Sequence, residues 1–202
     1  MLKMPKICVI TTVLFLMVTA TACVNNFAVQ ELNNKAKVYL EKGDTEAAVS
    51  RLEASIDLDG SLYETYYNLS VAYIKAEKYE KAVKTLNKTL ELKPDFYDAY
   101  YSLGSAYENN AEFLIKKYEE ELESEAQNAC EPVKTDEKID LTDAQKTEIL
   151  DNFSKALDNY NMYLTKRPDA ADKANVESLI EYIQKEMEKY NSSQDEQKSV
   201  NE

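Results

Sequence analysis

Apolar residues recur at steps of three and four along most of the chain, and this spacing predicts amphipathic helices. Only three glycines and four prolines interrupt the pattern, so β-strands have few places to turn. Glu, Lys, Ala and Leu are abundant, which is typical of helical proteins. The sequence therefore predicts an all-α fold.

A longer period lies within this pattern, in the segment YETYYNLSVAYIKAEKYEKAVKTLNKTLELKPD, which begins at Tyr63. Small residues at Ser70 and Ala82 let two antiparallel helices cross, and Pro94 ends the second helix. The positions that define the pattern are Tyr66, Leu69, Ser70, Tyr73, Tyr79, Ala82, Leu86, Thr89 and Pro94. With this spacing the segment resembles a tetratricopeptide repeat.

The same pattern continues on both sides of this repeat. The matching positions are Tyr100, Leu103, Gly104 and Tyr107 after it, and Leu32, Ala36, Tyr39, Gly43, Ala48, Leu52, Ser55 and Ile56 before it. The resemblance implies a helical-hairpin solenoid of about three repeats over residues 29–168. The second helix of the third repeat comes late, as FSKALDNYNMYLTKRP beginning at Phe153, so we interpret residues 109–141 as an insertion.

The insertion itself is predicted to be helical at both ends. The apolar stripe that passes Tyr107 continues through Ala111, Leu114, Tyr118 and Leu122. Thr142-Asp143-Ala144-Gln145 is a capping-box signature that begins the returning helix. The third repeat should therefore be split by an extended helical hairpin, whose irregular tip holds Cys130.

The chain beyond Pro168 is predicted to close the solenoid. An apolar stripe predicts a capping helix over residues 169–190, and the polar residues 191–202 predict a disordered tail. The stripe consists of Val176, Ile180, Ile183, Met187 and Tyr190.

The N-terminus has the pattern of an export signal. Lys3 and Lys6 precede an uncharged apolar run over residues 7–20, which is too short to span a bilayer comfortably. Ala20-Thr21-Ala22-Cys23 resembles the end of a bacterial lipoprotein leader. The resemblance implies a signal peptide at 1–22, an acyl chain such as palmitate on Cys23, and a short tether over 23–28. Cleavage by the ordinary signal peptidase and an uncleaved anchor remain alternatives.

The charge of the chain restricts its partners. The formal net charge is −13, and removal of the two leader lysines would make it −15. Nucleic acid is excluded as a partner because a polyanion binds basic surfaces. An anionic bilayer repels an acidic protein, so membrane attachment would depend on the lipid at Cys23. We expect a protein on a bacterial cell membrane, facing the periplasm or the cell surface.

Catalytic and metal-binding residues are scarce. The chain has no histidine, which removes the usual general base and the most frequent metal ligand. Cys130 has no such partner, so it is interpreted as a free loop thiol or as half of an intermolecular disulfide. Glutamates from Glu119 to Glu125 lack a calcium-loop pattern and suit a solvated face or a basic partner. We expect no enzyme activity, no cofactor and no metal.

The concave face of such a solenoid is formed by the first helix of each repeat, and the resemblance implies that partners bind there. Helical phase places eight residues on that face: Asn33, Lys37, Tyr67, Val71, Ile74, Tyr101, Ser105 and Glu108. Rigid tyrosines in a groove suit the capture of a peptide segment or a helix. The alternative is that the hairpin or the C-terminal helix covers these residues.

Known chaperone-tail binders of this repeat family use a basic clamp, which corresponds here to Asn33, Lys37, Asn68, Asp98 and Ser102. Only Asn68 matches the residue type of that clamp, so the binding of chaperone tails is a disfavoured function for this chain. The leading hypothesis is an adaptor or assembly factor that binds another envelope protein. The alternatives are a self-associating module that uses the long hairpin, and an accessory subunit that delivers a small ligand to a transporter.

Overall fold

The computed structural model describes residues 26–128 and 141–200, and every regular element in these ranges is an α-helix. The helices are α1 (26–41), α2 (Thr45–Leu58), α3 (Tyr63–Lys75), α4 (Tyr79–Leu92), α5 (Asp98–Asn128), α6 (Asp143–Lys166) and α7 (Lys173–Val200). The predicted signal peptide, Cys23 and Cys130 lie outside the described residues. The helical order confirms the all-α solenoid with an extended hairpin.

The turns between paired helices follow from local chemistry. Gly43 has a φ of 78°, and Asp44 then caps α2 by accepting a hydrogen bond from the backbone N–H of Ala47 at 3.0 Å. Glu77 stands in the corresponding turn between α3 and α4, with a φ of 55°. A left-handed conformation costs a residue with a Cβ about 1 kcal/mol, so this glutamate is strained where the preceding repeat uses glycine.

The first four helices and the start of α5 enclose one apolar core. Ala48 and Ala82 are fully buried where paired helices approach each other, and Leu52, Leu69 and Leu86 fill the space around them. Small side chains at the crossings bring the helix axes close together, and the larger ones then interlock. This core holds the first two repeats.

A second core lies between the long helices. Helix α5 has 31 residues, against 13 in α3, so it extends roughly 27 Å beyond a repeat helix. Thr142 and Gln145 form the capping box that begins α6, as the sequence predicted. Ile149 and Phe153 of α6 are fully buried against the apolar stripe of α5. The extended hairpin therefore has a core of its own.

Helix α7 belongs to this second core rather than only closing the end of the solenoid. Val176 and Ile183 are fully buried in it, and the Tyr182 hydroxyl donates a hydrogen bond to Glu112 of α5 at 3.1 Å. The helix also continues to Val200, whereas the sequence predicted a disordered tail from residue 191.

The third repeat is closed by one tight contact between α5 and α6. A Cβ atom built at Gly104 would lie 2.7 Å from two ring carbons of Tyr160. The Tyr160 ring cannot move aside easily, because it is buried and its hydroxyl donates a hydrogen bond to Glu108. Glycine is therefore required at this crossing for steric reasons.

Replacing Gly104 with alanine should lower the free energy of unfolding by about 1–3 kcal/mol, because the added methyl group overpacks the crossing. Urea denaturation followed by circular dichroism measures the change. Ser50→Ala is the control, since this exposed residue of α2 already has a Cβ, and its effect should be much smaller. Equal stability of Gly104→Ala and the unmodified chain would contradict the proposed contact.

Candidate functional site

The eight residues that helical phase assigns to the concave face come from the first helix of each repeat. Asn33 and Lys37 lie on α1, three further predicted residues lie on α3, and the last three lie on α5. The two ends of this groove differ in how far they are open to solvent. The end near α1 is open, and the end near α5 is filled by side chains of α6.

Asn33 joins the first three helices to one another. Its Nδ2 donates to Ser55 Oγ of α2 at 2.8 Å and to Thr65 Oγ1 of α3 at 3.1 Å. Its Oδ1 accepts from Asn68 Nδ2 at 3.3 Å. The predicted groove residue Asn33 thus has a structural role, because its amide group is already engaged within the chain.

Beside Asn33, a cleft of about 300 Å³ opens between α1 and α3. Its lining is rich in side-chain amides and contains a few apolar residues: Asn26, Val29, Gln30, Asn33, Asn34, Leu62, Glu64, Thr65 and Asn68. Asn26, Gln30 and Asn34 are exposed to solvent. The sequence analysis missed these three, although their four-residue spacing places them on one face of α1.

The middle of the groove is partly closed by an aromatic residue that the sequence analysis did not identify. Phe96, in the loop before α5, meets the Tyr67 ring edge to face at 4.9 Å and the Tyr63 ring at 5.0 Å. The Tyr67 hydroxyl accepts a hydrogen bond from Ser102 at 3.4 Å. Val71 and Ile74 are half-buried beside it, so this section presents a shallow apolar floor.

The α5 end of the predicted groove is occupied. The Tyr101 ring packs against the rings of Tyr160 and Tyr163, each at 5.6 Å. Glu108 is only 9% exposed, and its carboxylate accepts a hydrogen bond from the Tyr160 hydroxyl. Ser105 accepts a hydrogen bond from Asn109 at 3.0 Å. The open groove therefore does not extend to Glu108, because α6 packs on this face of α5.

Burial also changes the pKa values of Glu108 and Tyr160. Loss of solvent raises the pKa of Glu108, the hydrogen bond from Tyr160 opposes part of that rise, and the charge of Glu112 adds to it. Burial and the neighbouring Glu108 charge raise the pKa of Tyr160, so its hydroxyl remains a proton donor. A buried carboxylate is thus held in place by a buried phenol.

Two positions that correspond to the basic clamp are engaged within the chain. Asp98 forms an ion pair with Arg167 of α6, and Ser102 is buried against Tyr67. Among residues 26–128 and 141–200, no three carboxylate, cysteine or histidine side chains are grouped closely enough to hold a metal ion. No helix within these ranges has the length and apolar character needed to cross a membrane.

Comparison with known proteins agrees with this architecture. Residues 33–83 match the model described as tetratricopeptide repeat, and residues 71–110 match the one described as TPR repeat. Residues 33–110 are tetratricopeptide repeats. No curated protein matches the chain by sequence.

Several solved repeat domains share the fold at low sequence identity. The first TPR domain of human RPAP3 is 16% identical, with a TM-score of 0.55 over 82% of this chain and 96% of that domain. The second RPAP3 domain, solved with an HSP70 peptide, has 16% identity and a TM-score of 0.52 over 78% and 98%. The TPR2B domain of yeast Sti1, in a complex with pHsp70, has 16% identity and a TM-score of 0.53 over 79% and 98%.

The buried Glu108 predicts a specific pH dependence. The pKa of Glu108 is higher in the folded protein than in the unfolded chain. Its protonation therefore adds to the stability of the fold at pH values below the pKa of the unfolded chain. This added stability is lost as the pH rises through the pKa of the folded protein. In Glu108→Gln the side chain is neutral at every pH, so this variant does not lose stability at residue 108 as the pH rises. The stability of this variant relative to the unmodified chain should therefore increase as the pH rises above about 4, the ordinary pKa of a glutamate.

Urea denaturation at several pH values measures this difference. Tyr160→Phe removes the hydrogen bond that lowers the Glu108 pKa, so the loss of stability with rising pH should become larger and extend to higher pH. A stability difference between Glu108→Gln and the unmodified chain that stays constant with pH would contradict the assignment.

Proposed function

We propose that this protein is a protein-interaction adaptor that holds an extended segment of a partner protein in the α1 end of its groove. The observation that carries the proposal is the open, amide-lined cleft of about 300 Å³ between α1 and α3. At the other end of the same face, Tyr160 and Tyr163 occupy the space that a partner would need.

The chemistry of the cleft favours an extended peptide backbone. A side-chain amide has both a donor and an acceptor, so it complements the alternating N–H and C=O groups of an extended chain. Gln30 and Asn34 are exposed and turn toward the cleft. Further along, exposed Lys37 and half-buried Val71 and Ile74 suit a segment with acidic and apolar side chains.

The solved repeat domains support the mode of binding rather than the identity of the partner. The second RPAP3 domain was solved with an HSP70 peptide and the Sti1 TPR2B domain in a complex with pHsp70, so this arrangement of helices can accommodate a partner segment. In this chain Asp98 and Ser102 are engaged at two positions of the basic clamp. A segment other than a chaperone tail is therefore the proposed ligand.

We also propose that the adaptor is exported and attached to a bacterial membrane by a lipid on Cys23. The leader resemblance over residues 1–22 supports this, and so does the distance along the chain, since Asn26 of the cleft follows Cys23 after only two intervening residues. An anchor there would keep the cleft close to the bilayer. The lack of histidine supports a binding role rather than a catalytic one.

The lipid anchor predicts metabolic labelling of the chain in a bacterial host. An alkyne analogue of palmitate should label the protein expressed from the whole sequence, and Cys23→Ser should abolish the labelling, because Cys23 is the proposed attachment point of the lipid. Cys130→Ser is the matched control and should leave the labelling unchanged. Labelling that persists in Cys23→Ser would contradict the proposed anchor, as would an unlabelled full-length protein.

The groove predicts position-dependent crosslinking in cells. A photo-reactive amino acid at Lys37 or Val71 should crosslink one distinct envelope protein, because each position lies about one helical turn beyond a residue that lines the cleft, on α1 and α3 respectively. Lys84, an exposed lysine on α4, is the matched control and should not give this product. Asn34→Ala should reduce the Lys37 crosslink if the amide-lined cleft holds the partner.

Two outcomes would contradict the adaptor. Identical products from Lys37 and Lys84 would show contact without a specific site. Products that contain only this chain would instead support a self-associating module.

A further inference from the structure

A second cleft, of about 310 Å³, lies outside the groove, where the extended part of α5 passes the turn between α3 and α4. It is lined by Glu77, Tyr79, Asn109, Glu112, Phe113, Lys116, Lys117 and Glu120. None of these residues belongs to the predicted groove. The cleft exists because α5 continues beyond the length of a repeat helix.

Two aromatic rings form its apolar part. Phe113 is 41% exposed, and its ring centroid lies 6.0 Å from that of the half-buried Tyr79, with the rings tilted by 60°. Residues of α5 that face α6, such as Leu114 and Tyr118, are buried in the second core. Phe113 thus lies on another face of α5, where a large exposed apolar ring is available to a ligand.

Carboxylates surround these rings. Glu77 and Glu112 are both exposed, and their charges, after the effect of burial, raise the pKa of the Tyr79 hydroxyl. Both carboxylates therefore lie close to the edge of the aromatic pair. Glu77 also keeps its left-handed conformation at the rim, where the preceding repeat has Gly43. Strained residues of this kind are concentrated at ligand-binding sites.

The two lysines of the cleft form ion pairs with glutamates of their own helix. Lys116 Nζ lies 3.9 Å from Glu120, and Lys117 Nζ lies 3.8 Å from Glu121 and 5.4 Å from the centre of the Tyr118 ring. Each ammonium group therefore lies beside a carboxylate one turn further along α5, at the Glu120 end of the cleft. Around Tyr79 and Phe113 the charged lining residues are then Glu77 and Glu112, and the second oxygen of Glu112 remains available beside the one that accepts from Tyr182.

We propose that this cleft binds an arginine side chain of a partner protein, with the guanidinium over the Phe113 ring and with Glu77 and Glu112 as its counter-ions. A guanidinium is planar, stacks on aromatic faces and pairs with carboxylates, so it satisfies both kinds of group at once. The negative charge of the whole chain favours the approach of such a basic segment.

This second site extends the adaptor proposal and can be tested separately from it. It lies outside the groove, so variants at Lys37 or Asn34 leave it intact. A protein with both sites would contact two segments of one partner, or two different partners, and two linked contacts strengthen each other.

A pair of peptides tests the site directly. The probe is the blocked pentapeptide Ala-Leu-Arg-Leu-Ala, compared with the same peptide in which uncharged citrulline replaces arginine. Both are titrated into the full-length ¹⁵N-labelled chain in detergent, and amide chemical shifts are followed by NMR. The arginine peptide should bind about fivefold more tightly, with the largest shifts at Glu77 and Phe113.

Two variants and one control identify the groups responsible. Glu77→Gln and Phe113→Ala should each weaken the arginine peptide about threefold or more, and neither residue is buried, so both variants should fold. Glu46→Gln removes the same charge from an exposed position on α2 and should have little effect.

Three results would overturn the proposal. Equal affinity for the two peptides would mean that the guanidinium charge is not recognised. An equal loss in Glu77→Gln and Glu46→Gln would indicate general attraction to an acidic protein. The amide chemical shift of Phe113 could instead change with the concentration of the protein and not with that of the peptide. That result would mean that a second copy of this chain occupies the cleft.

Discussion

The contact between the Tyr160 ring and the backbone of Gly104 is the interaction on which the second half of this protein depends. It brings α6 against α5 although an insertion separates the two helices in the sequence. Because the added bulk of a single Cβ would collide with the ring, the third repeat can close in this way only with glycine at residue 104. The core that α7 shares is built on the same pair of helices.

That packing also explains why only half of the concave face is open. Tyr160 and Tyr163 reach Tyr101, and Glu108 is buried beneath them, so the groove is filled near α5. Near α1 no preceding repeat covers the face in the described residues, and Asn33 ties three helices together while neighbouring amides stay exposed. A rigid, partly open groove is well suited to peptide capture.

Tyrosine hydroxyls supply much of the polar contact between helices in a chain that has no histidine. Within residues 26–128 and 141–200, tyrosine hydroxyls donate to carboxylates in these pairs: Tyr73 to Glu53, Tyr118 to Glu148, Tyr160 to Glu108, Tyr163 to Asp172 and Tyr182 to Glu112. Burial raises the pKa of Tyr73, Tyr163 and Tyr182 to about 12, and the bond to Glu148 is the main cause for Tyr118. These phenols therefore remain protonated donors even near pH 10, where an ordinary tyrosine begins to ionise.

The sequence by itself determined the repeats, the insertion and the start of α6, because helical periodicity, small residues at crossings and a capping box are local signals. Helical phase also predicted a concave-face position for Lys37, Val71 and Ile74, which stays a prediction. Tertiary structure alone decided that Glu108 is buried, that Phe96 closes part of the groove, and that Phe113 meets Tyr79. Each of these depends on contacts between distant segments, and helical phase cannot specify which neighbouring helix covers a face.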